Sequence, residues 1–497
     1  MEIMSREKSK LIDLQTINEV GIPSLVLMEN AANKVTERII GLGEKFIIFC
    51  GNGNNGGDGL VIARKLLEEN KAVYIVIVSE KEIYSEDFLV NINILKKLTN
   101  NFIYLKKEED IELLKNASKE YTILVDCIFG IGLNRELNKF YKNIINYVND
   151  NWKDIYSIDV PSGLNCDSGE VMGASIIAKK TYTFEVIKRG YLKYKALKYL
   201  GEVEVLKIGI PSYIKKRNSE KVYILEERDY GNLLIKRELF GHKGSYGKAV
   251  ILAGSSGYTG AAYISTEACV RAGAGLTTLV TTREVQSLLC SRLVEAMTMS
   301  IDEEGVNKLF ETVDVIAIGP GIDNEQKYEE IFKVIANKDQ KIVVDAGAFK
   351  IIKGNEDILK KIKHRAIFTP HPGEMARLID RSIDYIEENR IEVAKEYARK
   401  YNIVLLLKGY NTVITDGEEV YINTTGNSKM ASGGMGDCLT GIITALVAQG
   451  HSLINSAILG AYIHGLAGEL SGRDKYSVIA TEVIKNISKA MNYMNKY

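Results

Sequence analysis

Short runs of β-branched and aliphatic residues recur along this chain at the spacing of parallel βαβ units, and most run into loops rich in glycine, asparagine or aspartate. In the first half they fall at Phe46 to Cys50, Val73 to Val78, Ile123 to Ile128, Ile155 to Val160, Thr181 to Ile187 and Val203 to Ile208. A helical stretch, Ser24 to Ile40, precedes them after a Gly21-Ile22-Pro23 turn. A second series follows at Ala249 to Ala253, Val313 to Ile318, Ile342 to Asp345, Ala366 to Thr369, Val404 to Leu407 and Thr412 to Thr415. The charged, aperiodic stretch from Ser212 to Lys221 reads as the boundary between them, so the sequence predicts α/β domains over 1–215 and 225–497. A chain of 497 residues is too long for one core, which agrees with two.

Charge narrows the partners. Lys plus Arg and Asp plus Glu are equal at 64 each, without the basic surplus of a general nucleic-acid or anionic-membrane binder, so small molecules are the expected partners. The six cysteines show no Cys-x-x-Cys spacing, and the opening Met-Glu-Ile-Met-Ser-Arg has no signal-peptide apolar core. No apolar run approaches the ~18 residues of a membrane span. These features predict a cytoplasmic chain without structural zinc and without a membrane segment.

In the first half, Cys50-Gly51-Asn52-Gly53-Asn54-Asn55-Gly56-Gly57-Asp58-Gly59 satisfies the Gly-x-Gly-x-x-Gly dinucleotide pattern, and Glu80 closes the next strand where a ribose-binding acid would stand. Against that reading, Asp58 would repel a pyrophosphate at the helix start, and three asparagines replace the usual small residues. Ligands of a parallel sheet gather outside the carboxyl ends of its strands, which brings Asn55, Asp126, Asp159 and Ser162 to one rim. One carboxylate with amide and hydroxyl oxygens is a hard, low-charge set, better suited to potassium than to zinc. A turn or cap would also use either aspartate alone.

In the second half, Gly254-Ser255-Ser256-Gly257-Tyr258-Thr259-Gly260-Ala261 joins a strand to an alanine-rich helix but lacks Gly-Lys-Ser/Thr, so a Walker-type phosphate loop is excluded. Gly319-Pro320-Gly321 and Thr369-Pro370-His371-Pro372-Gly373-Glu374 each follow a strand and would share its rim, and His371, fenced by prolines, is favoured over the other histidines as a ligand contact. Lys408-Gly409-Tyr410-Asn411-Thr412 offers a cation and spare amides to a phosphate. Residues 432 to 441, Ser-Gly-Gly-Met-Gly-Asp-Cys-Leu-Thr-Gly, deliver Asp437 to the start of a helix whose Leu439, Ile442, Ile443, Leu446 and Val447 form one apolar face. A carboxylate there is either an N-cap or a base that deprotonates a hydroxyl while neighbouring amides hold a phosphoryl group.

The motifs Asn54-Asn55-Gly56-Gly57-Asp58-Gly59, Asp126 to Gly132 and Asp159-Val160-Pro161-Ser162-Gly163, with Leu27-Met28-Glu29-Asn30-Ala31-Ala32 before them, resemble the YjeF-type NAD(P)HX epimerase domain. That resemblance implies substrate contacts by Asn54, Asn55, Gly56, Gly57, Asp58, Gly130, Ile131, Gly132, Leu133, Asn134, Arg135, Glu136 and Asp159, and potassium on Asn55, Asp126 and Ser162. Asp159 is the candidate for proton transfer, and Lys188 lies in a Thr-Phe-x-x-x-Lys-x-Gly pattern similar to the family's. The five motifs of the second half resemble the ADP- or ATP-dependent NAD(P)HX dehydratase. By that similarity Ala261, Gly321, His371 and Asp437 contact the hydrated nucleotide, Asp437 as catalytic base. Lys408, Gly409, Tyr410, Asn411, Thr412 and Gly436 hold ADP or ATP with magnesium.

The fold so implied is α/β throughout: a Rossmann-like three-layer αβα domain, then a ribokinase-like one. The activity implied is repair of NADH and NADPH hydrates, by epimerising the R and S forms and dehydrating the S form, and a homo-oligomer is expected. A ribokinase-like vitamin or sugar kinase carrying a non-catalytic N-terminal binding module is the alternative.

Overall fold

The computed structural model describes residues 1–323 and 325–496, and the chain divides into two units, Met1–Glu220 and Lys221 onward. The first contains β1 (Ile3–Met4), β2 (Lys45–Cys50), β3 (Ala72–Val78), β4 (Phe102–Leu105), β5 (Ile123–Cys127), β6 (Asp154–Ile158), β7 (Lys180–Phe184), β8 (Ile187–Lys188) and β9 (Glu202–Leu206). Seven of these form an all-parallel sheet in the order β4-β3-β2-β5-β6-β7-β9, while β1 and β8 pair separately. Alternation along β2 divides the core. Phe46, Ile48 and Cys50 pack with the helices Ser24–Ile39, Asn54–Glu68 and Glu86–Leu95, whereas Ile47 and Phe49 face Lys139–Asn151 through Ile144, Ile145 and Val148.

The second unit contains β10 (Val222–Tyr223), β11 (Lys248–Leu252), β12 (Leu276–Thr281), β13 (Met297–Ser300), β14 (Val315–Ile318), β15 (Lys341–Val344), β16 (Ala366–Phe368), β17 (Val404–Leu407), β18 (Thr412–Thr415) and β19 (Val420–Asn423). They form one sheet, β10-β19-β18-β17-β16-β15-β14-β11-β12-β13, parallel except where β18 runs against β17 and β19. One face carries the helices Thr259–Arg271, Met435–Ala448, Leu453–Ser471 and Ala480–Met494. Among the described residues no helix is long and apolar enough to cross a membrane.

Three expectations need correction. The run Thr181 to Ile187 is not one strand, because Glu185 takes a φ of 59° and ends β7. Its buried carboxylate accepts the backbone N–H groups of Ile208 (2.7 Å), Gly209 (3.1 Å) and Ile210 (3.2 Å) and pairs with Lys215. The charged stretch from Ser212, read as aperiodic, forms a helix, Ser212–Asn218, with Ile214 buried in the first unit's core, and the two units divide after Glu220. The helix Met435–Ala448 is buried on all sides from Cys438 to Ala448 rather than along one stripe.

Its polar residues are satisfied locally: Thr444 Oγ1 donates to Thr440 O (2.6 Å) and Thr440 Oγ1 to Asp345 Oδ2 (2.8 Å). Each large apolar side chain it buries contributes roughly 1.5–3 kcal/mol. Close packing depends on Gly441, where a Cβ would lie 2.2 Å from Ser265 O and 2.8 Å from Ala268 Cβ. Gly441→Val should therefore cost about 1–3 kcal/mol or more by overpacking. The check is the denaturant midpoint of the second unit's unfolding transition; an unchanged midpoint contradicts this packing.

Candidate active sites

In the first sheet β2 and β5 are neighbours, yet the chain leaves them in opposite directions, so their following loops diverge and open a crevice at the carboxyl ends. The crossing beneath is tight. Gly51 N donates to Cys127 O (3.0 Å), a Cβ on Gly51 would lie 2.0 Å from Ile128 O, and one on Gly56 would lie 1.9 Å from Gly51 O. Only glycine fits at both positions.

Above them lies a cavity of about 630 Å³, walled by Asn54, Asn55 and Asp58, by Gly130, Ile131, Gly132, Leu133, Asn134 and Arg135, and by Asp159. Gly56 and Gly57 are buried below and supply space rather than contacts. Glu136 is exposed and lies outside this cavity, beside a neighbouring hollow of about 420 Å³.

Asp126 is fully buried and accepts from Ser162 Oγ (2.5 Å), Ser162 N (2.9 Å), Ser157 Oγ (2.8 Å) and Ile128 N (3.3 Å). Burial raises its pKa, and these bonds oppose the rise by favouring the carboxylate. Next to Gly130, both polar atoms of the Asn55 amide are buried without a hydrogen-bond partner among the described residues. Leaving such a group unpaired costs about 1–3 kcal/mol. An orphaned amide with buried hydroxyl and carboxylate oxygens fits a weakly charged cation.

Asp159 follows β6 with a φ of 62°, a left-handed backbone that turns the chain off the strand. Its Oδ1 lies 2.9 Å from Lys188 Nζ and accepts Thr183 Oγ1 (3.2 Å), and its carbonyl accepts the Tyr191 hydroxyl. Lys188 is buried and also donates to Thr183 Oγ1 (3.0 Å), Phe184 O (3.2 Å) and Val186 O (3.3 Å). The structure thus gives Lys188 a place: it is the cation that holds the Asp159 carboxylate. The sequence reading missed Lys10, Asp13 and Ile17, which line the cavity from the helix Arg6–Gln15 and the turn after it. Their i, i+3, i+7 spacing was the available signal.

The second sheet repeats the arrangement at β11 and β14. Gly254 N donates to Pro320 O (2.8 Å) and Ser255 Oγ to Gly321 O (2.7 Å), while a Cβ on Gly321 would lie 2.9 Å from Ala261 Cβ. The two predicted substrate contacts, Ala261 and Gly321, therefore touch. A Cβ on Gly319 would lie 1.7 Å from Asp345 O, which places the end of β15 against the same loop.

Asp345, absent from the sequence-based site, organises the charges. Lys408 Nζ lies 2.7 Å from Asp345 Oδ1 and 3.9 Å from Glu374 Oε2, and a Cβ on Gly436 would lie 3.2 Å from Lys408 Nζ. Burial disfavours the Lys408 ammonium, but Asp345, Glu374 and Asp437 outweigh it and raise its pKa. Asp437 stands in the first turn of Met435–Ala448, after Gly434 at φ 86°. Burial, then Asp345, push its carboxyl up to about 6 against the pull of Lys408. No cap bond forms from its side chain; the N-cap position is Gly434.

Gly409, at φ 134°, Tyr410 and Asn411, at φ 52°, make the β17–β18 turn that Thr412 closes by donating its hydroxyl to Gly409 O (2.9 Å). Lys408 precedes this turn but sends its ammonium to the carboxylates. His371 caps the helix Pro372–Leu378: its Nδ1 accepts from Gly373 N (3.0 Å) and Glu374 N (3.3 Å), and Nε2 of the half-exposed ring lies 3.5 Å from Glu374 Oε1. His464 rivals it. Its Nε2 is buried without a partner among the described residues, and burial followed by Lys408 pushes its pKa down to about 4.

Two sheets of this order, each with a glycine-walled crevice and a carboxylate paired to a buried lysine, define a two-unit α/β enzyme whose second half is ribokinase-like. A family profile described as YjeF-related protein N-terminus matches residues 24–190, and one described as NAD(P)H-hydrate dehydratase matches residues 249–489. The bifunctional NAD(P)H-hydrate repair enzyme of Moorella thermoacetica is 37% identical over 495 residues, covering 96% of this chain and 93% of that protein. The enzyme of the same description from Escherichia coli is 31% identical, covering 90% and 85%. A solved ribokinase-like superfamily protein from Enterococcus faecalis is 28% identical with a TM-score of 0.53, covering 56% of this chain and 98% of its own. The chain belongs to the family of bifunctional NAD(P)H-hydrate repair enzymes.

The charge arrangement around Asp437 makes a prediction independent of activity. Followed by carbon NMR, the Asp437 carboxyl should titrate near pH 6, and Asp345→Asn, which removes a neighbouring negative charge, should move the midpoint down towards the ordinary carboxylate range. An unmoved midpoint means Asp345 does not set the charge state of Asp437.

Proposed function

We propose that the chain repairs hydrated NADH and NADPH with Asp437 as the base of dehydration and Asp159 as a proton-transfer group of epimerisation. The observation that carries this is the charge cluster at the start of Met435–Ala448, where the Lys408 ammonium pairs with Asp345 at 2.7 Å and, with it, sets the charge around Asp437. The hydrate bears a hydroxyl at C6 of the nicotinamide ring. Asp437 takes the proton of that hydroxyl as its oxygen attacks the terminal phosphoryl group of ADP or ATP, whose bond to the bridging oxygen breaks to release AMP or ADP. Lys408 offsets charge on the phosphoryl oxygens, and amides at Gly436 and across Lys408, Gly409, Tyr410, Asn411 and Thr412 hold the nucleotide. Phosphate then leaves C6, a proton leaves C5, and the ring double bond returns. Magnesium accompanies the nucleotide phosphates because their charge requires it.

In the first unit, Asn54, Asp58 and the Gly130 to Arg135 loop bind the nucleotide hydrate, and Lys188 holds the Asp159 carboxylate in place beside it. Asn55, Asp126 and Ser162 would hold potassium, which would supply a fixed positive charge beside these loops. The six cysteines are all unpaired, which suits the cytoplasm, where the coenzymes turn over. Family membership favours this reading over a vitamin or sugar kinase, which would release a stable phosphorylated product detectable by mass spectrometry.

The test is absorbance of reduced nicotinamide, restored from mixed hydrates with ADP or ATP, magnesium and potassium. Recovery of only half the material, with the R form left behind, contradicts an active first unit. Asp437→Asn should keep nucleotide binding and lose dehydration by at least about 100-fold; unchanged turnover removes Asp437 from the mechanism. Because Asp437 acts ionised and its pKa lies near 6, dehydration by the unaltered enzyme should fall as pH drops through 6 and level off above it.

A further inference from the structure

The first unit's cavity holds a carboxyl that the roles above leave unused. Asp13 reaches it from the helix Arg6–Gln15, with Lys10 and Ile17 on the same face, whereas Asp58 reaches it from near the start of the helix Asn54–Glu68 and Asp159 from the loop after β6. The helix is fixed by its surroundings. β1 pairs in parallel with β8 so that Met4 stands opposite Lys188, Ser5 N donates to Glu220, and Arg6 N donates to Asp167 Oδ1 (2.7 Å). The strand that carries the Asp159 partner therefore also positions Asp13.

Resting on the reading of this unit as the epimerase, we propose that Asp13 is a second proton-transfer carboxylate of that reaction, acting from the helix wall while Asp159 acts from the sheet rim. Inverting C6 requires its hydroxyl to leave one face and return to the other, and one side chain serves one face. Asp13 gives its proton to the C6 hydroxyl, the C6–O bond breaks, and water departs as the N1 lone pair forms an N1=C6 double bond. Water then adds to the opposite face of C6, its oxygen bonding to carbon, the N1=C6 pair returning to N1, and its surplus proton passing to the Asp159 carboxylate. Exchange with solvent resets both groups, and the reverse epimerisation exchanges their roles.

The surroundings suit that division. Asp159 has a cation at 2.9 Å, while Asp13 makes no side-chain hydrogen bond or ion pair among the described residues. Burial pushes the Asp13 carboxyl up to about 7; Lys188 draws it down, and Asp159 and Glu185 add to the rise. The cavity thus offers one carboxyl from the helix wall and another from the sheet rim, one to give a proton and one to take it.

The test uses full-length protein fed pure R hydrate with ADP or ATP, magnesium and potassium, so that reduced nicotinamide appears only after epimerisation, with the uncatalysed rate subtracted. Asp13→Asn should lower kcat for the R hydrate by at least about 100-fold with KM within about threefold. Dehydration of pure S hydrate by the same preparation, which runs on the other unit, reports intact protein. Asp13→Glu, which keeps an ionisable group, should recover at least about tenfold of that loss. Retained R turnover in Asp13→Asn overturns the proposal, more so if Asp58→Asn abolishes it. Equal losses in the Asn and Glu variants also overturn it, because they mark a structural role. If the unaltered protein leaves R hydrate unconverted, the epimerase reading itself fails, a result distinct from any of these.

Discussion

The functional geometry of both units depends on how closely backbone can approach backbone where each sheet reverses its winding. At β2 and β5 a methyl group on Gly51 would lie 2.0 Å from a carbonyl oxygen, and at β14 one on Gly319 would lie 1.7 Å from another. No side chain fits at such distances, so these loops sit directly on the strand ends and their next residues are projected outward. The crevice, and the polar groups lining it, follow from that contact.

Charge placement then separates function from stability. A buried ion pair contributes little net stability, because desolvation cancels most of the attraction, although removing one partner is severe. Asp345 with Lys408, and Asp159 with Lys188, are pairs of this kind set at the rims of the sheets. In the proposed reactions their value is chemical: each fixes a positive charge beside a carboxylate to which a proton-transfer role is assigned. The cores are held instead by apolar burial, as along Met435–Ala448.

Much of this was legible in the sequence, and the gaps have physical causes. The main strand runs, their glycine loops and Asp437 at a helix start could be read because local chemistry dictates them. β4 and β13 were missed because they are short outer strands whose pairing is decided by tertiary contacts. Glu185 looked out of place where a turn residue belongs; its fit is visible only once three backbone amides from residues 208 to 210 converge on it. Asp345 was read as the end of a strand and Asp13 was not read as a site residue at all, because each becomes functional through partners far away in sequence. Lys188 was noticed by pattern, but its contact with Asp159 is a fact of folding.

The pairing of β1 with β8 joins residues 3 and 4 to residues 187 and 188. During synthesis the opening segment has no strand to join until nearly the whole first unit has left the ribosome. The cavity is therefore closed last, by the part of the chain made first, and a nascent first unit cannot hold its substrate until its own tail has emerged.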